Sequence, residues 1–328
     1  MTIRSMPVLR KLLLLLETCA ILMLSEGGVR VQFLESFTFA SESDEAGFLV
    51  SSYQLDMACY NKNNAYPFKI FPFKGLHRLD FAPITILYGG NGSGKSTALN
   101  IIAEKLQLQR IAPFNDTPLM EKYLNFCRYM LCDGVRRPPE GSAIITSDGV
   151  FDFLLDVRAI NEGIDHRRDA LLEEYDATIE DCRDNHWQMR DLSEYDELKR
   201  RLEAKKSTKS KYVARRLGGT ELEMKSNGES AFVYFTQKIG ENALYLLDEP
   251  ENSLSAKLQA ELAQFLADSA RFYDCQFIIS THSPFLLSMK GAKIYDLDAS
   301  PVTAKPWTEL ENVRAYHELF QAHSSEFE

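Results

Sequence analysis

The chain lacks the features of a small stapled domain, a metal-knit module or a membrane-spanning protein. Its six cysteines (Cys19, Cys59, Cys127, Cys132, Cys182 and Cys275) are scattered, with no C-x-x-C pair and no histidine at zinc-finger spacing. That excludes a disulfide framework and a structural zinc site and leaves reduced thiols, as expected of a cytoplasmic protein. The apolar stretch Leu12 to Leu24 has 13 residues, where a membrane span needs about 20. Arg4, Arg10 and Lys11 precede it as in a signal peptide, but Glu17 and Thr18 interrupt it and no small-x-small cleavage site follows. Residues 1–28 are therefore expected to form an extension, either a docked helix or an extended translation start. Internal repeats, low-complexity segments and Gly/Ser linkers are missing too. So is an excess of positive charge: the net charge of -10 disfavours general adhesion to nucleic acid or anionic lipid, which would then need a local basic patch.

What is present is 328 residues, 45% hydrophobic and 26% charged, enough for one large α/β domain with an inserted lobe or for two modest domains. Gly89-Gly90-Asn91-Gly92-Ser93-Gly94-Lys95-Ser96 matches the phosphate-binding pattern G-x-x-x-x-G-K-[ST] without a gap. The apolar run Ile84 to Tyr88 reads as a strand feeding it, and Leu99, Ile102, Ala103 and Leu106 recur behind it at helical spacing. In such a strand, loop and helix, backbone N–H groups and the helix N-terminus face phosphate, Lys95 neutralises its charge, and the Ser96 hydroxyl holds Mg²⁺. Thr97, next along the helix, completes the expected ATP-binding set.

Ala243 to Leu247 is a nearly unbroken apolar run ending in Asp248-Glu249-Pro250, the signature of a buried parallel strand delivering two carboxylates to a sheet edge. Asp248 is suited to hold Mg²⁺ and Glu249 to polarise the water that attacks a γ-phosphate. A third strand, Gln276 to Ser280, runs into Thr281-His282-Ser283-Pro284, placing His282 where a histidine reaches a γ-phosphate or the attacking water.

These residues resemble the ABC-type ATPases, and among them the stand-alone ATPases of the RecF and SMC branch. Gly89 to Ser96 corresponds to Walker A, Ser226-Asn227-Gly228-Glu229-Ser230 to a variant signature, Leu244 to Glu249 to Walker B, and His282 to the switch histidine. The resemblance covers about residues 29 to 300. It implies a P-loop NTPase fold of ABC type, α/β with a mostly parallel central sheet and an inserted helical lobe. It also implies a head-to-tail homodimer formed on ATP binding, in which Ser226 and Gly228 contact the nucleotide held by the partner. Taken alone, Ser226 to Ser230 reads as an N-cap ahead of a helix Ala231 to Ile239. The signature departs from Ser-Gly-Gly-Gln, and Ser255 stands at the D-loop aspartate position, which weakens a transporter assignment. No glutamine sits at the Q-loop position; Asp148, after the strand Ala143 to Thr146, is the candidate metal-linked residue there. Phe71, Phe73 and His77 are candidates for stacking on adenine, with core packing as the alternative.

The expected organisation is an uncertain extension over 1–28, the Walker A half over 29–154, a helical lobe over 155–230, and the Walker B and switch-histidine half over 231–328. Val29, Val31 and Phe33 alternate like a first strand. Ile160 to Leu198 holds thirteen acidic and four basic residues, and Lys199 to Arg216 nine basic residues with Glu203 alone opposing. Leu171, Ile179, Trp187, Leu192, Leu198 and Leu202 suggest short amphipathic helices, too short in total for an SMC-like coiled coil. The basic run Lys199–Arg216 suits nucleic-acid phosphates or, equally, neutralises the acidic run, which itself suits an effector protein. Near the end, Ile294 to Leu297 reads as a strand, and Thr308 with Glu311 as a capping box before a helix carrying Leu310, Val313, Tyr316 and Phe320.

Overall fold

Three apolar pentapeptides far apart in the chain build the centre of the molecule. The computed structural model describes residues 32–52, 65–114, 116–184, 194–217 and 226–327; the extension 1–28, Val29, Val31, Cys19, Cys59, Trp187 and Leu192 lie outside them. Strands are β1 Leu34–Thr38, β2 Arg78–Asp80, β3 Ile84–Tyr88, β4 Gln109–Arg110, β5 Arg128–Leu131, β6 Ala143–Thr146, β7 Leu244–Asp248, β8 Gln276–Ser280, β9 Lys293–Asp296 and β10 Thr303–Ala304. Helices are α1 Glu42–Ser52, α2 Lys95–Leu106, α3 Met120–Leu124, α4 Ser147–Asp184, α5 Tyr195–Lys206, α6 Lys209–Leu217, α7 Asn227–Lys238, α8 Ala256–Phe272, α9 Pro284–Leu287 and α10 Glu311–Ala322. Seven strands form one sheet in the order β10-β9-β3-β8-β7-β6-β4. Every pairing in it is parallel except the edge hairpin of β9 and β10. A second sheet, β2-β1-β5, is antiparallel. The α/β class with a mostly parallel sheet is the one the motifs require.

Apolar residues fill both faces of the central strands, and alternation sends successive side chains to opposite layers. Leu244, Leu246 and Ile278 join the layer shared with α2 and the small sheet. Tyr245, Leu247, Phe277 and Ile279 join the layer packed by α7, α8 and α10. The strands also end together: Leu87 lies opposite Ser280, Ser280 opposite Asp248, and Asp248 opposite Thr146. All three motif strands therefore discharge their loops at one carboxyl edge, where α/β sheets bind ligands.

A polar residue fastens the two sheets. Gln276 is fully buried; its Oε1 accepts from Phe33 N at 2.9 Å and Leu34 N at 2.8 Å, while Nε2 donates to Leu34 O at 2.8 Å and Ala82 O at 3.3 Å. Its partners are backbone groups at the sheet margins, two of them carbonyls that also accept from Gln32 Nε2 (Leu34 O, 3.0 Å) and Thr85 Oγ1 (Ala82 O, 3.4 Å).

Some local expectations differ from the structure. The first described strand starts at Leu34, just after Phe33. The lobe opens with one helix of 38 residues, α4, rather than short pieces; no proline interrupts 147–184. This helix crosses the expected boundary at 155 and starts where β6 ends. Leu171, Leu172, Tyr175 and Ile179 of α4 pack on Ala204, Tyr212 and Val213 of α5 and α6 as a separate small core, whereas Leu202 is exposed. The signature helix begins at Asn227, four residues before Ala231, because Ser226 and Glu229 form a reciprocal capping box. The capping box at Thr308 and Glu311 does not form: Trp307–Glu309 make a 3-10 turn and Leu310 occupies the cap. Leu310 and Val313 are buried, but Tyr316 and Phe320 are exposed.

Replacing Gln276 with Leu keeps the volume and takes the side-chain acceptor from the amides of Phe33 and Leu34. The expected loss is about 3 kcal/mol or more in unfolding free energy, read from a denaturant midpoint. An unchanged midpoint would remove the tie between the sheets.

Candidate functional site

The loop between β3 and α2 wraps around the side chain of Lys95. Gly94 caps α2 with φ at 95°, a left-handed conformation, and a Cβ there would lie 3.1 Å from Ile70 Cγ2; both facts require glycine. Gly89, Gly90 and Ser93 line the inner side of the turn, and Asn91 and Gly92 are exposed. Ser93 is buried, and its hydroxyl has no partner among the described residues. Lys95 is 4% exposed. Its ammonium donates to Gly89 O at 2.7 Å and Gly90 O at 3.2 Å and meets His282 Nε2 at 2.8 Å. An ammonium only donates, so Nε2 is the acceptor and the ring proton sits on Nδ1. The three N–H groups of Lys95 are thus all engaged.

The two carboxylates after β7 go separate ways. Asp248 Oδ1 accepts from Ser96 Oγ at 3.0 Å and from Ser280 Oγ. Glu249 leaves the strand in the left-handed region, φ 48°, with its N–H donating to Ser280 O at 3.0 Å. That turn brings Glu249 Oε1 to 3.6 Å from His282 Nε2 and 4.0 Å from Lys95 Nζ. A non-glycine residue held there costs on the order of 1 kcal/mol, a strain found at the residue expected to act on water.

Burial dominates the electrostatics. It pulls the Lys95 ammonium below its usual range, opposed by Glu249, Asp248, Asp298 and Glu251. It pushes the Asp248 carboxyl up, opposed by the hydroxyls of Ser280 and Ser96. The nearby carboxylates thus favour the charged ammonium, and Glu249 approaches it to 4.0 Å. The Ser96 hydroxyl beside the Asp248 carboxylate is a hard-oxygen pair that fits Mg²⁺, and the unpaired Ser93 hydroxyl under the loop fits a phosphate oxygen. The residues present therefore fit a magnesium-bound nucleotide, whose cation Ser96 and Asp248 would hold.

Other expected positions are less central. Thr97 Oγ1 lies 3.4 Å from the Tyr66 hydroxyl. Asp148 is exposed in the first turn of α4, two residues beyond Thr146, the strand residue opposite Asp248. Ser226 caps α7, bonded to Glu229. Gly228 is required by close approach within the same chain: a Cβ there would lie 2.9 Å from Ser253 O and 3.1 Å from Leu258 Cδ1. Ser255 caps α8. Phe71 is buried and stacks on Phe39 at 4.4 Å, so it belongs to the core, while Phe73 and His77 are exposed.

Two site residues escaped the motifs. Asp298 Oδ2 accepts from Gly90 N at 2.5 Å, and Glu251 Oε1 accepts from Thr281 Oγ1 at 2.7 Å, His282 N at 2.6 Å and Ser283 N at 3.2 Å. Neither carries a sequence signal beyond being an acid in a turn near a strand end.

In the lobe four residues of the basic run pair with acids. Arg216 pairs with Glu174 at 3.0 Å and Glu203 at 3.3 Å, Arg200 with Glu174 at 3.7 Å and with Glu197, Arg201 with Glu197 at 2.7 Å and with Asp181, and Lys209 with Asp176 at 2.5 Å. Lys199, Lys205, Lys206, Lys211 and Arg215 are exposed.

Residues 226–288 match the family model described as "AAA domain, putative AbiEii toxin, Type IV TA system". That stretch carries the variant signature, the Walker B strand and His282, three of the four motifs that resemble ABC-type ATPases. No curated protein matches the chain. Among solved structures it is similar to an Smc head domain of Pyrococcus furiosus bound to the C-terminal domain of ScpA, with 16% identity, 76% of this chain and 97% of that chain covered, and a TM-score of 0.34. It is similar to the SMC head domain of Thermotoga maritima, with 13% identity, 83% and 98% covered, and a TM-score of 0.35. A dimeric ATP-binding cassette in a post-hydrolysis state bound to ADP and Pi gives 16% identity, 72% and 92% covered, and a TM-score of 0.31. No helix among the described residues is long and apolar enough to cross a membrane.

Asp248→Asn removes a buried charge but keeps an oxygen for Ser96 and Ser280. The variant is expected to melt at or above the wild-type temperature without ligand and to lose the further rise that Mg·ATP gives the wild type. An undiminished Mg·ATP shift would take Asp248 out of the metal set.

Proposed function

We propose that this chain binds ATP with Mg²⁺ and hydrolyses it to ADP and phosphate in a head-to-tail homodimer that assembles on ATP. The observation that carries the reading is the saturation of Lys95 by Gly89 O, Gly90 O and His282 Nε2, with Glu249 beside the same imidazole. A γ-phosphate offers Lys95 a stronger, charged acceptor, so its arrival competes with His282 and couples nucleotide occupancy to the histidine. The amides of Gly92 to Thr97 and Lys95 bind phosphate, and Ser96 and Asp248 hold the cation, whose charge favours departure of ADP. Glu249 orients the attacking water and takes its proton as the bond to ADP breaks, and His282 senses the γ-phosphate. Phosphoryl transfer depends mainly on positioning, so turnover by the monomer is slow until Ser226 and Gly228 of a second copy close the site. Asp148 is assigned to the metal-linked position beside it. A cytoplasmic setting supplies the ATP.

For the biological role we propose a DNA repair or defence process. Five exposed cations on α5 and α6 and the description of the matching family model support that reading. A second reading, an ATP-gated scaffold that recruits an effector protein, is favoured by the ion pairing that uses Arg200, Arg201, Lys209 and Arg216 within the lobe. Transport is disfavoured by the signature and by Ser255 at the D-loop position.

Glu249→Gln is expected to keep ATP binding, to lower turnover by about 100-fold or more, and to run as a dimer by light scattering with Mg·ATP and as a monomer without it. Unchanged turnover would end the assignment of Glu249. Steady-state hydrolysis with double-stranded DNA across a salt series, with Lys95→Ala as blank, separates the roles. Stimulation that fades steeply with salt marks phosphate contacts, whereas salt-independent, unstimulated turnover moves the search to protein partners.

A further inference from the structure

We infer that Glu251 is a positioning residue that sets the switch histidine against Lys95 and Glu249, an inference that rests on the ATPase reading above. Its Oε1 gathers three donors from consecutive residues of the loop leaving β8: the Thr281 hydroxyl and the amides of His282 and Ser283. On the opposite side, Asn312 Nδ2 donates to His282 O at 3.1 Å. The backbone of His282 is thus gripped at both its N–H and its C=O, so the ring leaves the loop in one direction, toward Lys95.

The same side chain belongs to the turn that carries Glu249. Asn252 N donates to Glu249 O at 3.1 Å, Asn252 Nδ2 to Glu249 Oε2 at 3.2 Å, and Leu254 N to Glu251 O at 3.0 Å. Glu249 and Glu251 therefore move as one piece, and Glu251 transmits the place of that piece to His282. Helix capping does not account for these bonds, because the Ser283 hydroxyl already accepts from Phe285 N and Leu286 N to start α9. Three converging donors favour an ionised acceptor. Burial opposes it and pushes the Glu251 carboxyl up, and its Oε2 is buried without a hydrogen-bond partner among the described residues. Glu251 is thus held at a cost by the loop it organises.

The test is steady-state ATP hydrolysis by Glu251→Ala, Glu251→Gln, His282→Ala and the double variant Glu251→Ala/His282→Ala, with amide hydrogen exchange on each. Glu251→Ala is expected to lower kcat by about 100-fold with the KM for ATP little changed. Glu251→Gln, which keeps one acceptor oxygen, recovers part of that rate, and the double variant is no slower than His282→Ala alone. Exchange protection is expected to fall at His282 and Ser283 while β7 and β8 stay protected. An unchanged kcat in Glu251→Ala, or losses that multiply in the double variant, would overturn the inference. If the wild type shows no Lys95-dependent turnover, the ATPase reading is what fails. The ¹⁵N signals of the His282 ring then decide on Glu251: they move in Glu251→Ala if it positions the ring, and stay fixed if it does not.

Discussion

An ammonium buried beneath a glycine loop, with each of its N–H groups committed, is the constraint around which this molecule is assembled. Lys95 lies 4% exposed, and burying such a charge is costly unless partners surround it. Two partners are local carbonyls of its own loop; the third is an imidazole 187 positions away. Only a sheet that ends β3, β7 and β8 at one level brings that imidazole within reach. The parallel register, the double-faced apolar strands and the sheet-to-sheet tie of Gln276 are in this sense conditions for keeping Lys95 solvated by protein.

The carboxylates follow from the same constraint. Desolvation raises the Asp248 carboxyl and lowers the Lys95 ammonium, so each needs the charge of the other and of whatever enters. Glu249, in its left-handed turn, stands apart from the Asp248 cluster and lies 3.6 Å from the imidazole nitrogen that Lys95 engages.

Much of this was legible from residue order because strands buried on both faces announce themselves as unbroken apolar runs, and the chemistry sits at their ends. Ile84–Tyr88, Leu244–Asp248 and Gln276–Ser280 were readable for that reason, as were Lys95, Ser96, Asp248, Glu249 and His282. Glu251 and Asp298 were not, since an acid in a turn looks the same whether it faces water or three buried donors. The start of α7 was misplaced because Ser226 and Glu229 cap it reciprocally, which puts Asn227 and Gly228 inside the helix. The pairing within the lobe was open because composition counts charges without saying which helices face each other; packing of α4 on α5 and α6 decided it. Phe71 and Phe73, two residues apart, have opposite fates because one faces a neighbouring aromatic and the other solvent.

The long helix α4 is anchored at one end only to the main sheet. It begins at Ser147, directly after the strand residue that lies opposite Asp248, and its 38 residues reach about 57 Å at 1.5 Å per residue. Rooted at the carboxyl edge of the sheet and loaded along its outer half by the helices packed on it, it has the proportions of a pointer on a pivot. A turn of about 5° at the root sweeps the far end through about 5 Å over that length. A small tilt where Ser147 leaves the sheet would thereby be enlarged to the scale of a side chain at the far end of the helix.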